Sequence, residues 1–409
     1  MPFAEVKVKC VNIENFKKLI KKNLFLNHIY VKLQSTVIYF QYKFLVYYYA
    51  KKKQQSSMEN LLLQKDFDQA WQEKFKNRKP IVYFVGNDEY QDKSGFIQEL
   101  EKVCEKVYLF HKENGSYGTY HFGSFNYKLS SQKNKKVILK TLSNIEKNLL
   151  PDILMLQAWG WNLTPEDLKE IRKQYPTIKI INICMDDRHS YWFYGNKRLG
   201  TAGLFPYVDL VLSTSSETVE WCLKENTPAL FFPLGSSLDF FFPLEAEKKY
   251  DVGFVGAKYG IREETVNAMI QNGINVQAYG NGWKNGKLPL SETNKFFNEC
   301  ELILGVGTIA GCRHFYNMKL RDFDALMSGG AYITHNNPDL KKLFGDSIIL
   351  CDSVEEFVEK AKYYLQNKEQ LIKIRNEGYK KVKENYTYEK IFLNLFKTLG
   401  IKYENTNHN

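Results

Sequence analysis

The chain has 409 residues, enough for two domains, and its 44% hydrophobic and 25% charged content is ordinary for a soluble globular protein. Its net charge of +11 is unevenly spread: residues 1–57 hold eleven Lys and two Glu and contribute +9, which leaves +2 for the remaining 352. The body of the protein is therefore not a basic nucleic-acid binder. Seven scattered cysteines, odd in number and without a CxxC, point to a reducing compartment and away from a zinc site or a disulfide framework.

Residues 1–78 read as a basic, aromatic extension. Met1-Pro2-Phe3 does not open a signal peptide. The longest uncharged stretch near the start, Leu33 to Tyr42, is about half of what a membrane span needs. This segment can lie on an anionic membrane surface, pack as a helix on the next domain or extend without order; translation starting at Met58 is a further reading. From residue 79 strands and helices alternate. Strand Ile81–Val85 ends at Gly86, a helix covers 95–105, and strand Val107–Phe110 leads into a Gly-, Tyr- and Ser-rich loop over 111–131. A helix at 134–149 and strand Ile153–Leu156 follow, then helix 165–174, strand Ile178–Cys184, a helix near 190–203, strand Val208–Leu212, helix 216–224 and strand Ala229–Phe232. Such alternation implies a parallel sheet covered on both faces, here a first domain over 79–232. Residues 233–249, with Pro233, Gly235, Pro243 and a charged run, read as a linker. The alternation restarts in a second domain over 250–409: strand Tyr250–Val255, helix 261–271, strand Ile274–Tyr279, a helix near 291–299 and strand Leu302–Gly305. Beyond a further helix and strand, 338–343 is helical, Ser347–Leu350 is a strand, and helices at 353–366, 368–384 and 387–399 close the chain. The fold class is α/β, two tandem doubly wound Rossmann-like domains, with ligands expected in the cleft at the carboxyl ends of both sheets.

Residues that can carry chemistry gather at those carboxyl ends. Gly256-Ala-Lys-Tyr-Gly260, Gly280-Asn-Gly282 and Gly305-Val-Gly307-Thr-Ile-Ala-Gly311 each follow a predicted strand, where backbone N–H groups can meet a phosphate. None is a Walker loop or has GxGxxG spacing, so each alone also fits a structural turn. In Arg321-Asp322-Phe323-Asp324-Ala325-Leu326-Met327-Ser328-Gly329-Gly330 an apolar stripe can seat a short helix while Arg321 and Asp324 point elsewhere. Gly329-Gly330 ends that helix and admits a ligand close to the backbone. Lys319 and Arg321 suit a phosphate-bearing ligand; a surface salt bridge is the plainer reading. Arg313 and His314 lie on the same approach, and Arg262 opens a helix after a Gly turn. In the first domain Met185-Asp186-Asp187-Arg188-His189 follows a strand, so that Asp187 or His189 can take a proton, with Asp187 as a helix N-cap the structural alternative. Trp159-Gly160-Trp161 can stack on sugar rings or pack between domains, and Asn87 ends the first strand.

The motif around Asp324 resembles the acid-Ala-x-x-x-Gly segment of GT-B glycosyltransferases, and more closely the Arg-Asp-Phe-Glu-x-x-Met-Ser-Gly form of the CgeB-like branch, with Asp324 where that branch has Glu. The likeness runs over roughly residues 80–400 and implies a GT-B fold and a metal-independent transfer from a nucleotide-sugar to a glycan, lipid-linked or protein acceptor. It places the donor on the second domain (Gly256, Arg262, Gly280, Gly282, Gly307, Arg313, His314, Lys319, Asp324, Gly329 and Gly330), with Asp324 receiving the ribose hydroxyls and Arg321 at the diphosphate. The acceptor side then holds Asn87, Trp159, Trp161 and Asp186, and catalysis falls to Asp187, His189 and Arg321. Relatives tend to carry acids at 186–187 followed by Pro, where this chain has Arg188. No metal or other cofactor and no nucleic acid is expected. Cell-surface or spore-coat glycosylation on the cytoplasmic side, with association to the inner membrane face, is the implied setting. A nucleotide-sugar 2-epimerase of the same fold and a non-catalytic sugar-binding relative are the rival expectations.

Overall fold

The computed structural model describes residues 24–123, 126–309 and 316–402. Six parallel strands form the first sheet in the order β2-β1-β3-β4-β5-β6: β1 Ile81–Val85, β2 Lys106–Leu109, β3 Ile153–Leu156, β4 Lys179–Cys184, β5 Leu210–Ser213 and β6 Ala229–Phe231. Five form the second, in the order β11-β10-β9-β7-β8: β7 Tyr250–Val255, β8 Val276–Tyr279, β9 Cys300–Gly305, β10 Ala331–His335 and β11 Ile349–Cys351. The unbroken apolar runs of β1 and β3 are buried throughout, as strands covered by helices on both faces must be. In each sheet the direction of winding reverses once. The first sheet turns between β1 and β3, which pair through Val82 and Ile153, and the second between β7 and β9, which pair through Val252 and Leu302. Crevices at such reversals are where ligands enter open α/β sheets.

Two segments differ from the periodicity. The helix expected at 134–149 runs from Tyr127 to Ser143. Its polar first turns are held from outside: Asn134 receives the amide of Tyr120 at 2.7 Å and donates to the carbonyl of Asn162 at 2.8 Å. No long helix forms near 190–203. A single turn at Asp187–Ser190 gives way to short 3₁₀ turns, where Gly200 lies so close to the backbone of Tyr191 that a Cβ would sit 2.3 Å from its carbonyl oxygen.

The leading segment supplies the helix Leu24–Lys51. Leu45 and Tyr49 are fully buried against the first domain, and Tyr49 stacks on Trp221 with centroids 5.3 Å apart. No helix among the described residues is long and apolar enough to cross a membrane. At the other end, helix Lys368–Asn385 packs on the second domain, whereas Tyr388–Thr398 returns to the first and sets Tyr388 and Phe392 against Phe96. The chain thus crosses between domains twice, side by side: the Ser236 amide donates to the Tyr386 carbonyl at 3.1 Å, and the Ser236 carbonyl accepts from the Tyr388 amide at 3.1 Å.

Candidate functional site

Between the two reversal points lies a cavity of about 320 Å³. Its first-domain wall comes from Tyr90 and Ser94 after β1 and from Met185-Asp186 after β4. Its second-domain wall comes from Gly256, Tyr259 and Arg262 after β7 and from Lys319, Arg321 and Asp324 at the start of helix Arg321–Met327. That helix forms where the sequence analysis expects it. Phe323, Leu326 and Met327 are fully buried, and this apolar seat turns Arg321 and Asp324 toward the cavity.

Positive charge converges here, by different means. Arg321 gives one guanidinium N–H to the carbonyl of Val255 and lies 4.5 Å over the ring of Phe254. Its Nε and Nη2 are buried with no hydrogen-bond partner among the described residues. Buried donors are rarely left unpaired, so Arg321 can receive an acceptor from the cavity it lines. Gly256 makes room for this arrangement: a Cβ there would stand 2.7 Å from Arg321 Nη1. Arg262 is already committed, donating from Nε to Val306 at 2.9 Å and from Nη1 to Ala257 at 2.7 Å while stacking 3.9 Å over Tyr259. It joins the turns after β7 and β9 and acts chiefly as their strut. Burial pushes its pKa down to about 10, so it stays charged at neutral pH. Lys319 reaches across the cleft to Asp186 at 2.7 Å.

The acids are shifted in opposite directions. Burial alone would push the Asp186 carboxyl up, but the Lys319 ammonium and His189 outweigh it and hold it at about 2. Asp324 is buried beside Asp322, and burial pushes its carboxyl well above the usual range although Ser236 donates to Oδ1 at 2.8 Å. Asp322 is structural, receiving the Lys319 amide at 2.7 Å and the Tyr332 hydroxyl. His189 is pushed down by burial, against the pull of Asp186, which leaves a neutral imidazole able to accept a proton.

Six of the expected site residues therefore line one cavity: Asp186, Gly256, Arg262, Lys319, Arg321 and Asp324. Others stand apart. Gly329 packs on Pro243 and Gly330 on Ile303, so this pair shapes the helix end and does not line the cavity. Gly280 packs on the Gly256 carbonyl, Gly282 on Lys258 and Gly307 on the Asn317 carbonyl, and these turns support one another rather than line the cavity. Asn87 is tied to Gln157 and Thr119 within the first domain. Trp159 and Trp161 stack nearly parallel with centroids 5.3 Å apart, outside the cavity wall. They remain connected to it, because Ser190 accepts from Trp159 Nε1 at 2.7 Å and donates to the Asp186 carbonyl at 2.6 Å. Arg313, His314 and the side chain of Asp187 lie outside the described residues.

Several contributors escape a reading of the sequence. Ser236, in the segment read as a linker, is the partner of Asp324. Tyr90 reaches across the cleft to Thr293 at 3.0 Å. Arg188 spans the domains, pairing with Glu217 at 3.3 Å and with Asp339 at 3.6 Å and donating to the Tyr316 carbonyl.

Residues 262–397 match a family model described as glycosyl transferase-like. No curated protein matches the sequence. Among solved structures, Anabaena Alr3699/HepE in complex with UDP-glucose is 11% identical over 78% of this chain and 99% of that one, with a TM-score of 0.55. An alpha-glucosyltransferase (AGT) in complex with UDP is 11% identical over 78% and 99%, with a TM-score of 0.53. TarM, 10% identical with a TM-score of 0.48, matches over 66% of this chain, which spans 59% of that protein's length. Likeness at these identities concerns the fold: two parallel-sheet domains arranged as in GT-B glycosyltransferases. The family match falls mainly on the second domain, which carries the cationic wall of the cavity.

Proposed function

We propose that this protein is a metal-independent glycosyltransferase that moves a sugar from a nucleoside-diphosphate donor to a glycan, lipid-linked or protein acceptor. The observation that carries the reading is Arg321: two buried guanidinium nitrogens, Nε and Nη2, without partners among the described residues, beside Lys319, in a cavity between two Rossmann-like sheets. The glycosyl transferase-like match over 262–397 and the GT-B arrangement support it. UDP or UDP-glucose is what HepE and AGT hold; here the class, a nucleoside diphosphate, is proposed and the base is left open.

In this reading the donor lies on the second domain. Asp324 accepts the ribose hydroxyls, and its distance from Arg321 along one helix separates the nucleoside end from the diphosphate end. As the bond from sugar to phosphate breaks, charge grows on the leaving diphosphate, and Arg321 and Lys319 stabilise it without help from a metal. Lys319 leaves Asp186 to do so, which frees a carboxylate on the acceptor side. Asp186, Asp187 or His189 then takes the acceptor hydroxyl's proton if the reaction inverts; a retaining transfer needs no protein base. The Trp159–Trp161 stack offers a sugar-binding face on the acceptor side.

The test is release of nucleoside diphosphate from UDP-, GDP- and dTDP-sugars by the full chain in the presence of EDTA, with and without candidate acceptors. Acceptor-dependent release that falls in the Arg321→Ala variant supports the transferase. Conversion of the donor sugar without acceptor would identify an epimerase instead, and binding without turnover across acceptors a non-catalytic relative.

A further inference from the structure

Helix Leu24–Lys51 is apolar on two opposite faces. One face, through Ile38, Leu45 and Tyr49, is buried in the protein. The other carries Leu33, Val37, Phe40, Phe44 and Tyr47, spaced four and three residues apart in alternation, so that they form one straight stripe along the helix. The stripe is open to solvent: Leu33 is 62% exposed, Phe40 67% and Tyr47 61%. Single exposed apolar residues are ordinary, but five in register over about four turns are a contiguous patch that marks a contact surface.

Charge identifies the partner. The helix contains Lys32, Lys43 and Lys51 and no acidic residue; Lys53 follows it, whereas Lys52 is paired with Glu225 of the first domain at 2.9 Å. Lys51 lies over the Tyr47 ring at 4.0 Å, so a cationic head borders the aromatic stripe. An apolar, aromatic stripe bordered by lysines and free of acids matches an anionic lipid surface, with rings at headgroup depth and ammonium groups at the phosphates. A second copy of the same helix would bring lysines together without acids to pair them. The buried face gives the contact a consequence for the cleft. Gln41 donates to the carbonyls of Trp192 at 2.6 Å and His189 at 3.3 Å, and Ile38 packs on Ile309 of the second domain. The helix is thereby fixed to the segment that follows the cleft acid Asp186.

We infer that the exposed stripe of helix Leu24–Lys51 docks the protein on an anionic membrane surface and fixes how the cleft is presented to it. The inference does not depend on the transferase reading.

The experiment is flotation of the full chain with vesicles of phosphatidylcholine alone or mixed with phosphatidylglycerol, at low and high salt, beside a Leu33→Ser/Phe40→Ser variant. Both positions are exposed, so the variant should keep its melting temperature. The expected result is binding to the mixed vesicles only, weakened by salt, and lowered about tenfold or more in the variant through lost apolar insertion. Three outcomes overturn the inference. They are no binding to mixed vesicles; binding unchanged in the variant, which would assign it to lysines elsewhere; and a lipid-free dimer that the variant dissociates, which would assign the stripe to self-association.

Discussion

Replacing Asp324 by Asn should stabilise the unliganded protein and weaken donor binding together. The carboxylate is buried and receives one hydrogen bond among the described residues, from Ser236. An Asn amide oxygen can accept that same bond, so the substitution removes charge at almost constant shape. Because burial raises the folded-state pKa of Asp324, the folded protein resists the ionisation that the unfolded chain undergoes freely. The sign follows: below about pH 4 both states are protonated and the variant gains nothing, whereas above it the charged side chain costs the wild type stability. At pH 7, relief of an under-compensated buried polar group is worth about 1–3 kcal/mol. In a domain of this size that is a rise of at least roughly 2 °C in melting temperature. Donor affinity should move the other way, since charged hydrogen bonds to ribose hydroxyls are worth about 1.5–3 kcal/mol, or roughly 10- to 150-fold in Kd. Differential scanning fluorimetry at pH 4 and pH 7, with and without nucleotide-sugar, reads both effects. A lower melting temperature with unchanged donor affinity would refute the reasoning and reduce Asp324 to a structural partner of Ser236.

Three further outcomes are expected. Arg321→Ala should lower turnover roughly 10- to 150-fold, the worth of one charged hydrogen bond in the transition state, while circular dichroism shows an intact fold; near-normal turnover would remove Arg321 from the diphosphate. Asp186, whose pKa Lys319 holds at about 2, contributes stability that is present above its unfolded pKa near 4 and lost as pH falls toward 2. Wild type should therefore lose melting temperature more steeply than Asp186→Asn across that interval, and parallel curves would show that the ion pair adds nothing. Trp161→Ala should raise acceptor KM by about 2- to 12-fold, the worth of one ring contact, with donor affinity unchanged; a loss of donor affinity would place the tryptophans in packing instead.

What the sequence discloses here depends on how local the cause is. The Arg321–Gly330 segment is legible because its helix seat, its charges and its glycine stop lie within ten residues. Glycine after a strand likewise marks the turns at Gly256 and Gly280, although only the structure shows that they brace each other and that Arg262 is spent on the carbonyls of Ala257 and Val306. Ser236 is invisible as the partner of Asp324, because 88 residues separate them and the segment around it has the composition of a linker. The stripe of Tyr388, Ile391, Phe392 and Leu395 announces a helix but not its destination, which is the first domain. The leading helix is obscured for the opposite reason: apolar on two faces, it shows no single-sided period. Around 190–203 the close approach of Gly200 to Tyr191 overrides helical spacing, a tertiary effect with no local trace.

The most direct test of the central claim is titration of the full chain with UDP-, GDP-, dTDP- and CMP-sugars, without added metal, beside the Arg321→Ala variant, followed as melting temperature. Binding to the folded state alone raises that temperature with ligand concentration. A diphosphate site built on Arg321 gives a saturable rise with the sugars of one base, much reduced in the variant. No rise with any of them, or an equal rise in the variant, would contradict a diphosphate site built on Arg321.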